Sequence, residues 1–234
     1  TAALERGVQK MLLPNIDSTS IEGLKDLSEK YPEHCFPMMG LHPTSVKENY
    51  EEELQIIEKE LRTGKYIAMG EIGIDLYWDR TFEDQQKDAL RRQIELAKEL
   101  ELPIVVHQRD SFEAIFSVLD NMDTTNLRGV FHCFTGNTGQ AEKITDMGFK
   151  LGIGGVLTFK NSKLDESLKS IDLKHLILET DSPFLAPVPY RGKRNESTYV
   201  YLVARKLAEI KAIDIEEVAD VTTNNAYELF NKLK

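Results

Sequence analysis

Pro103-Ile104-Val105-Val106-His107-Gln108-Arg109-Asp110, residues 103–110, holds the pattern that decides the fold. Three consecutive aliphatic residues send apolar groups to both faces of an extended chain, as in a parallel strand covered by helices on either side. A histidine follows at once. Upstream, residues 82–100 read as an amphipathic helix. Leu90, Ile94, Ala97 and Leu100 recur there at three- or four-residue steps, with Lys87, Asp88, Arg91, Glu95, Lys98 and Glu99 on the other faces. Downstream, Phe112, Ile115, Phe116 and Leu119 repeat the helical spacing, with Asp110 or Ser111 as cap.

Working outward, the same unit recurs. Candidate strands lie at residues 8–13, 35–41, 66–71, 103–107, 129–134, 149–153 and 175–180, starting roughly 28 residues apart, the length of one strand–helix unit. Two helices, 197–211 and 215–230, close the chain, and nothing reads as a linker. The expectation is one α/β domain over residues 1–234 with a parallel sheet, either open and doubly wound or closed as a barrel. A (βα)8 barrel of the TIM type needs eight strands; seven are visible, so the first would precede Thr1. Ala2, Leu4, Glu5, Arg6 and Gly7 read as the last turn of a helix ending at glycine, which also predicts a preceding segment. Gly152-Ile153-Gly154-Gly155 lacks the spacing and the acidic partner of a dinucleotide fingerprint.

Composition narrows the function. In 234 residues, 41% apolar and 29% charged exclude a disordered chain. The uncharged stretch 151–159 falls far short of the ~18 apolar residues of a membrane span, so no membrane partner is expected. The net charge of −10 argues against bulk electrostatic attachment to nucleic acid. Cys35 and Cys133 cannot make a disulfide framework, which predicts reduced thiols and a cytoplasmic location.

The strongest chemical signal is at the strand ends. His42, Glu71, His107, His132 and Asp181 each follow an apolar run directly. In a parallel α/β fold those ends share a face, so three imidazoles and two carboxylates would converge. Burying them together is costly unless a divalent cation binds there. Each histidine alone reads more often as a hydrogen-bonded structural group than as a ligand; five such residues at successive strand ends favour the metal site. His34 and His175 come before their strands and are given no role. Arg191, Lys193 and Arg194 form a cationic loop suited to phosphate, or simply a solvated surface; Arg109 is open in the same way. Tyr77 and Trp78 offer either a base-stacking surface or a packed loop anchor.

Together, Gly40-Leu41-His42-Pro43, Gly70-Glu71-Ile72-Gly73-Ile74-Asp75, Val106-His107-Gln108-Arg109-Asp110, His132-Cys133-Phe134-Thr135-Gly136, Glu179-Thr180-Asp181-Ser182-Pro183 and Arg191-Gly192-Lys193-Arg194-Asn195 resemble the TatD family of metal-dependent deoxyribonucleases, of the amidohydrolase-type barrels. The likeness spans the chain. It implies a (βα)8 barrel with up to two divalent ions, Mg or Mn in catalysis with Zn as a further candidate. Glu71 would bridge them, His107 and His132 would complete one site, and Asp181 would hold the other ion and handle the proton of the attacking water. His42 would touch substrate, and Arg191, Lys193 and Arg194 the nucleic-acid backbone. The implied partner is DNA, single-stranded or at chain ends, and the implied state a monomer. Two departures stand out: the family's opening His-x-His pair is absent, and Ser197 replaces a frequent proline. The alternatives are a metal-dependent hydrolase of another ester, amide or phosphate substrate, and a non-catalytic binding protein lacking the first metal site.

Overall fold

Leu176-Ile177-Leu178 and Ile104-Val105-Val106 are buried in the computed structural model of the protein, save the part-exposed Leu178, as runs apolar on both faces require. The structure describes residues 2–233. In chain order its elements are α1 (Ala2–Glu5), β1 (Met11–Leu13), α2 (Ile21–Lys30), β2 (Cys35–Pro37), α3 (Tyr50–Leu61), β3 (Met69–Asp75), α4 (Glu83–Glu99), β4 (Ile104–Arg109), α5 (Phe112–Asp120), β5 (Gly129–Phe131), α6 (Thr138–Asp146), β6 (Lys150–Ile153), α7 (Leu164–Leu168), β7 (Leu176–Leu178), α8 (Val200–Lys211) and α9 (Ile215–Leu229), with short 3-10 turns between. Residues 2–9 and Val130–Leu229 make one compact unit; Lys10–Gly129 and residues 230–233 make another.

In the unit of residues 10–129, β1 pairs parallel with β2 and β3 with β4. Met39 bridges to Met69. The core holds Met39, Met69, Ile72, Ile74, Leu90, Ile94, Ile104 and Ile115, each almost fully buried. Burial of each such side chain stabilises by ~1.5–3 kcal/mol relative to exposure. In the unit of residues 130–229, β5, β6 and β7 pair in sequence order, all parallel. Phe131 packs edge-to-face on Phe149 with ring centroids 5.5 Å apart. Gly7 takes a positive φ of 87° directly after α1 and Arg6, the helix stop read from the sequence.

Several expected boundaries move. The strand expected at 35–41 stops at Pro37, which has no N–H for the ladder. The strand expected at 66–71 runs instead from Met69 to Asp75, where Gly70 and Gly73 leave room for β4: a Cβ on Gly70 would strike the Val105 side chain. A Cβ on Gly73 would collide with the His107 carbonyl, and its φ of +149° suits glycine. Glu71 and His107 therefore lie inside strands rather than at their ends.

Candidate metal centre

Three elements meet around Glu71. Asn15, 1% exposed, is the hub. Its backbone N–H donates to the Gly70 carbonyl, its own carbonyl accepts from the Glu71 N–H, and its amide donates to the Gly40 carbonyl. The β3–β4 register shifts between Met69 and Ile72, so Glu71 sits at an irregularity of the ladder, where sheets re-aim side chains. Beside it, α4 presents two buried glutamines one above the other. Gln93 accepts from the Leu41 N–H at 2.7 Å and donates to its carbonyl, while Gln86 does the same for Asp75 at 2.8 and 3.2 Å. The backbone beside His42 and at the end of β3 is thereby held from one helix face.

The donor atoms so placed form a near-equilateral triangle. His42 Nε2 lies 3.5 Å from Glu71 Oε2 and 3.3 Å from His107 Nδ1, and His107 Nδ1 lies 3.4 Å from Glu71 Oε2. Ligands ~2.1 Å from a common ion in tetrahedral array stand about 3.4 Å apart. The spacing fits a divalent cation, and Glu71 and His42 are buried while His107 is part-buried.

The outer ring nitrogens decide which corners can ligate. His107 Nε2 meets Asp75 Oδ2 at 3.0 Å; a carboxylate only accepts, so the proton sits on Nε2 and the Nδ1 lone pair faces Glu71. His42 is the reverse. The Thr44 backbone N–H donates to its Nδ1 at 3.2 Å, and the Thr44 hydroxyl, 2.7 Å from the same nitrogen, donates there as well when the neutral ring carries its proton on Nε2. In that tautomer His42 offers an N–H beside Glu71, and Glu71 and His107 are the members of the group that turn lone pairs toward a cation. Burial pushes the Asp75 carboxyl up, yet hydrogen bonds from His107 and the Tyr77 N–H outweigh it and hold its pKa below the ordinary value.

The unit of residues 130–229 repeats the device. His132 Nδ1 lies 2.8 Å from Glu179 Oε2, and Nε2 lies 3.4 Å from Asp181 Oδ1. Glu179 also accepts from the Cys133 N–H at 2.7 Å. With its proton on Nδ1 toward Glu179, His132 turns its Nε2 lone pair to Asp181 at the same ligand-like spacing. A Cβ on Gly152 would strike the Glu179 carboxylate, so the small residue of β6 makes room for it. Asp181 holds a φ of 53°, one of the left-handed positions tolerated by Asp.

The sequence reading assigned no role to Asp75 or Glu179, and it missed Gln86 and Gln93. Asp75 was expected in the loop after the Glu71 strand, whereas it is the last residue of β3. A signal existed: Asp75 is four residues from Glu71 along one strand, and Glu179 is two before Asp181. Of the cationic candidates, Arg191 stacks its guanidinium 3.6 Å from the Phe159 ring centroid, Lys193 lies 6.0 Å from that of Tyr190, and Arg194 is exposed. Buried Asn195 ties this loop down: it donates to the Thr180 and Phe184 carbonyls on either side of Asp181. Arg109 stacks on Tyr77 instead of reaching out alone. His34 and His175 precede β2 and β7, away from the ends that lead to His42 and Asp181.

Parallel strands followed by helices, with carboxylate-oriented histidines set beside further carboxylates, define the class: an α/β protein equipped for divalent cations. The sequence pattern described as TatD related DNase matches residues 1–231. An uncharacterized metal-dependent hydrolase of Bacillus subtilis, YabD, is 40% identical over 224 residues, covering 95% of this chain and 88% of its own. The crystal structure of YjjV, a TatD homolog from Escherichia coli, superposes with a TM-score of 0.91 at 31% identity, covering 98% of this chain and 91% of that one. A phosphotriesterase homology protein of Escherichia coli, solved with phosphate in its active site, shares the fold at a TM-score of 0.71 and 16% identity, covering 98% and 86%. The fold class is the α/β TIM-type barrel class of these proteins. The chain belongs to the TatD family of metal-dependent hydrolases, and is therefore an enzyme.

Proposed function

We propose that this enzyme hydrolyses phosphodiester bonds of DNA, in single strands or at chain ends, acting as a monomer in the cytoplasm. The observation that carries the choice of substrate is the exposed Arg191, Lys193 and Arg194 cluster in a chain of net charge −10, anchored by Asn195 to the segment bearing Asp181. Planar guanidinium groups match phosphate oxygens in pairs. The family description names DNase, and both cysteines are free thiols, as a reducing compartment keeps them.

In this reading Glu71 and His107 in one unit, and His132 and Asp181 in the other, would hold up to two divalent ions. The oxygen ligands and phosphate substrate suit Mg or Mn, and the imidazoles also admit Zn. A bound ion supplies Lewis-acid polarisation of the phosphoryl group and brings the pKa of water from ~15.7 towards ~7. Asp181 accepts the proton of the attacking water. His42 donates its Nε2–H to a phosphoryl oxygen, and Glu179 and Asp75 hold His132 and His107 in the tautomers that ligation needs.

The test compares end-labelled single-stranded and duplex DNA with a panel of carboxylic ester, amide and simple phosphate ester substrates, with Mg, Mn or Zn and with EDTA. Metal-restored cleavage of single-stranded DNA, abolished in Asp181→Ala protein that still folds, is the expected result. Turnover of the panel without DNA cleavage, or near-normal DNA cleavage by Asp181→Ala, overturns the assignment.

A further inference from the structure

Directly after Asp75, whose carboxylate orients His107, the chain turns through Tyr77 and Trp78. Trp78 is the only tryptophan, and it is 74% exposed; Tyr77 is half exposed. That exposure removes the reading of Trp78 as a packed loop anchor. Nor are the rings idle neighbours. Tyr77 and Trp78 stand edge to face with centroids 4.6 Å apart. The Arg109 guanidinium lies 3.8 Å from the Tyr77 centroid and 5.4 Å from that of Trp78. Arg109 is itself in register with Asp75 across β3 and β4 and sits two residues past His107.

We propose that Trp78, Tyr77 and Arg109 form a stacking platform for an unpaired nucleobase of a single-stranded substrate. A residue spans at most ~3.6 Å, so two residues place the Arg109 backbone within about 7 Å of that of His107. A stacked strand advances about 3.4 Å per nucleotide, so a base on the platform is only a few nucleotides from a phosphate at Glu71 and His107. Every base has a π-face, so stacking tolerates any sequence, and it selects single strands because duplex bases are already stacked between neighbouring pairs. A chain of net charge −10 gains little from general attraction to a polyanion, and a local aromatic and guanidinium contact supplies grip where the overall charge does not.

The platform rests on the nuclease reading above and has its own readout. Because Trp78 is the only indole, its fluorescence reports the platform alone. Metal-loaded full-length protein is titrated with a phosphorothioate-linked oligothymidylate and with an abasic oligomer of equal length and charge. Saturable Trp78 quenching by the first and not the second is expected. In anisotropy with labelled oligothymidylate, Trp78→Ala should bind about five- to hundredfold more weakly, as loss of one stacked base implies, with Trp78→Phe retaining most of the affinity. Equal responses to both oligomers, or Trp78→Ala binding as tightly as the parent, overturns the platform. DNA cleavage without base-dependent quenching removes the platform and leaves the nuclease reading; base-dependent quenching without cleavage does the opposite.

Discussion

His42 and His107 bring the same ring to Glu71 and put different chemistry on its inner nitrogen, because their outer nitrogens meet different partners. Asp75 can only accept, so His107 turns a lone pair inward; the Thr44 N–H can only donate, so His42 turns a proton inward. Substitution should separate the two. His107→Asn is expected to lose bound metal, whereas His42→Asn should keep the full metal content by atomic emission and lose about 10²–10³ in kcat, the usual effect of removing one transition-state donor. Loss of metal from His42→Asn would make it a ligand after all. The sequence reading named both histidines as site residues, and the resemblance put His42 against substrate and His107 on the metal. The tautomer reason for that division lay outside it, since a tautomer is set by a partner's hydrogen-bonding sense, and partners such as Thr44 become visible only once the chain turns back on itself.

The helix α4 shows the limit of periodicity. Leu90, Ile94 and Ala97 are buried as their spacing predicts, but Gln86 and Gln93 occupy the same stripe. A count of apolar residues passes over them, although their side chains hold the backbones of Asp75 and Leu41. Gln93→Leu fills a similar volume and leaves the Leu41 N–H and carbonyl without that partner. The expected cost is ~1–3 kcal/mol in urea denaturation, the range for an unsatisfied buried group, together with reduced kcat because His42 follows Leu41. A variant as stable as the parent would show that the backbone finds another partner. Strand type was legible from Ile104-Val105-Val106 and Leu176-Ile177-Leu178, while strand ends were not. Pro37 cuts one ladder short, and Gly73 lets another run on, through contacts with residues far along the chain.

At the scale of the molecule, several carboxylates set the response to acid. Burial pushes Asp17, Glu60 and Asp88 up, but hydrogen bonds outweigh it and leave each below its ordinary value: Thr19 and Ser45 on Asp17, Lys25 and Tyr66 on Glu60, Arg91 and Tyr50 on Asp88. The unfolded chain therefore binds more protons than the folded one as the pH passes below about 4, the ordinary carboxylate range. Their stabilisation is fully present above that range and is lost as the pH falls through the lowered folded values. With divalent cations chelated, the melting temperature should fall steeply between pH 5 and pH 3; a flat profile there would contradict the sign. No helix among the described residues is long and apolar enough to cross a membrane, as the sequence already indicated. By itself the sequence determined the α/β class, the order of strands and helices and the identity of the chemical groups, because hydrophobic periodicity and residue type are local properties. Only the tertiary structure decided which nitrogen of each histidine faces inward, which carboxylates orient them, and that Trp78 stands in solvent, because those depend on contacts between residues distant in the chain.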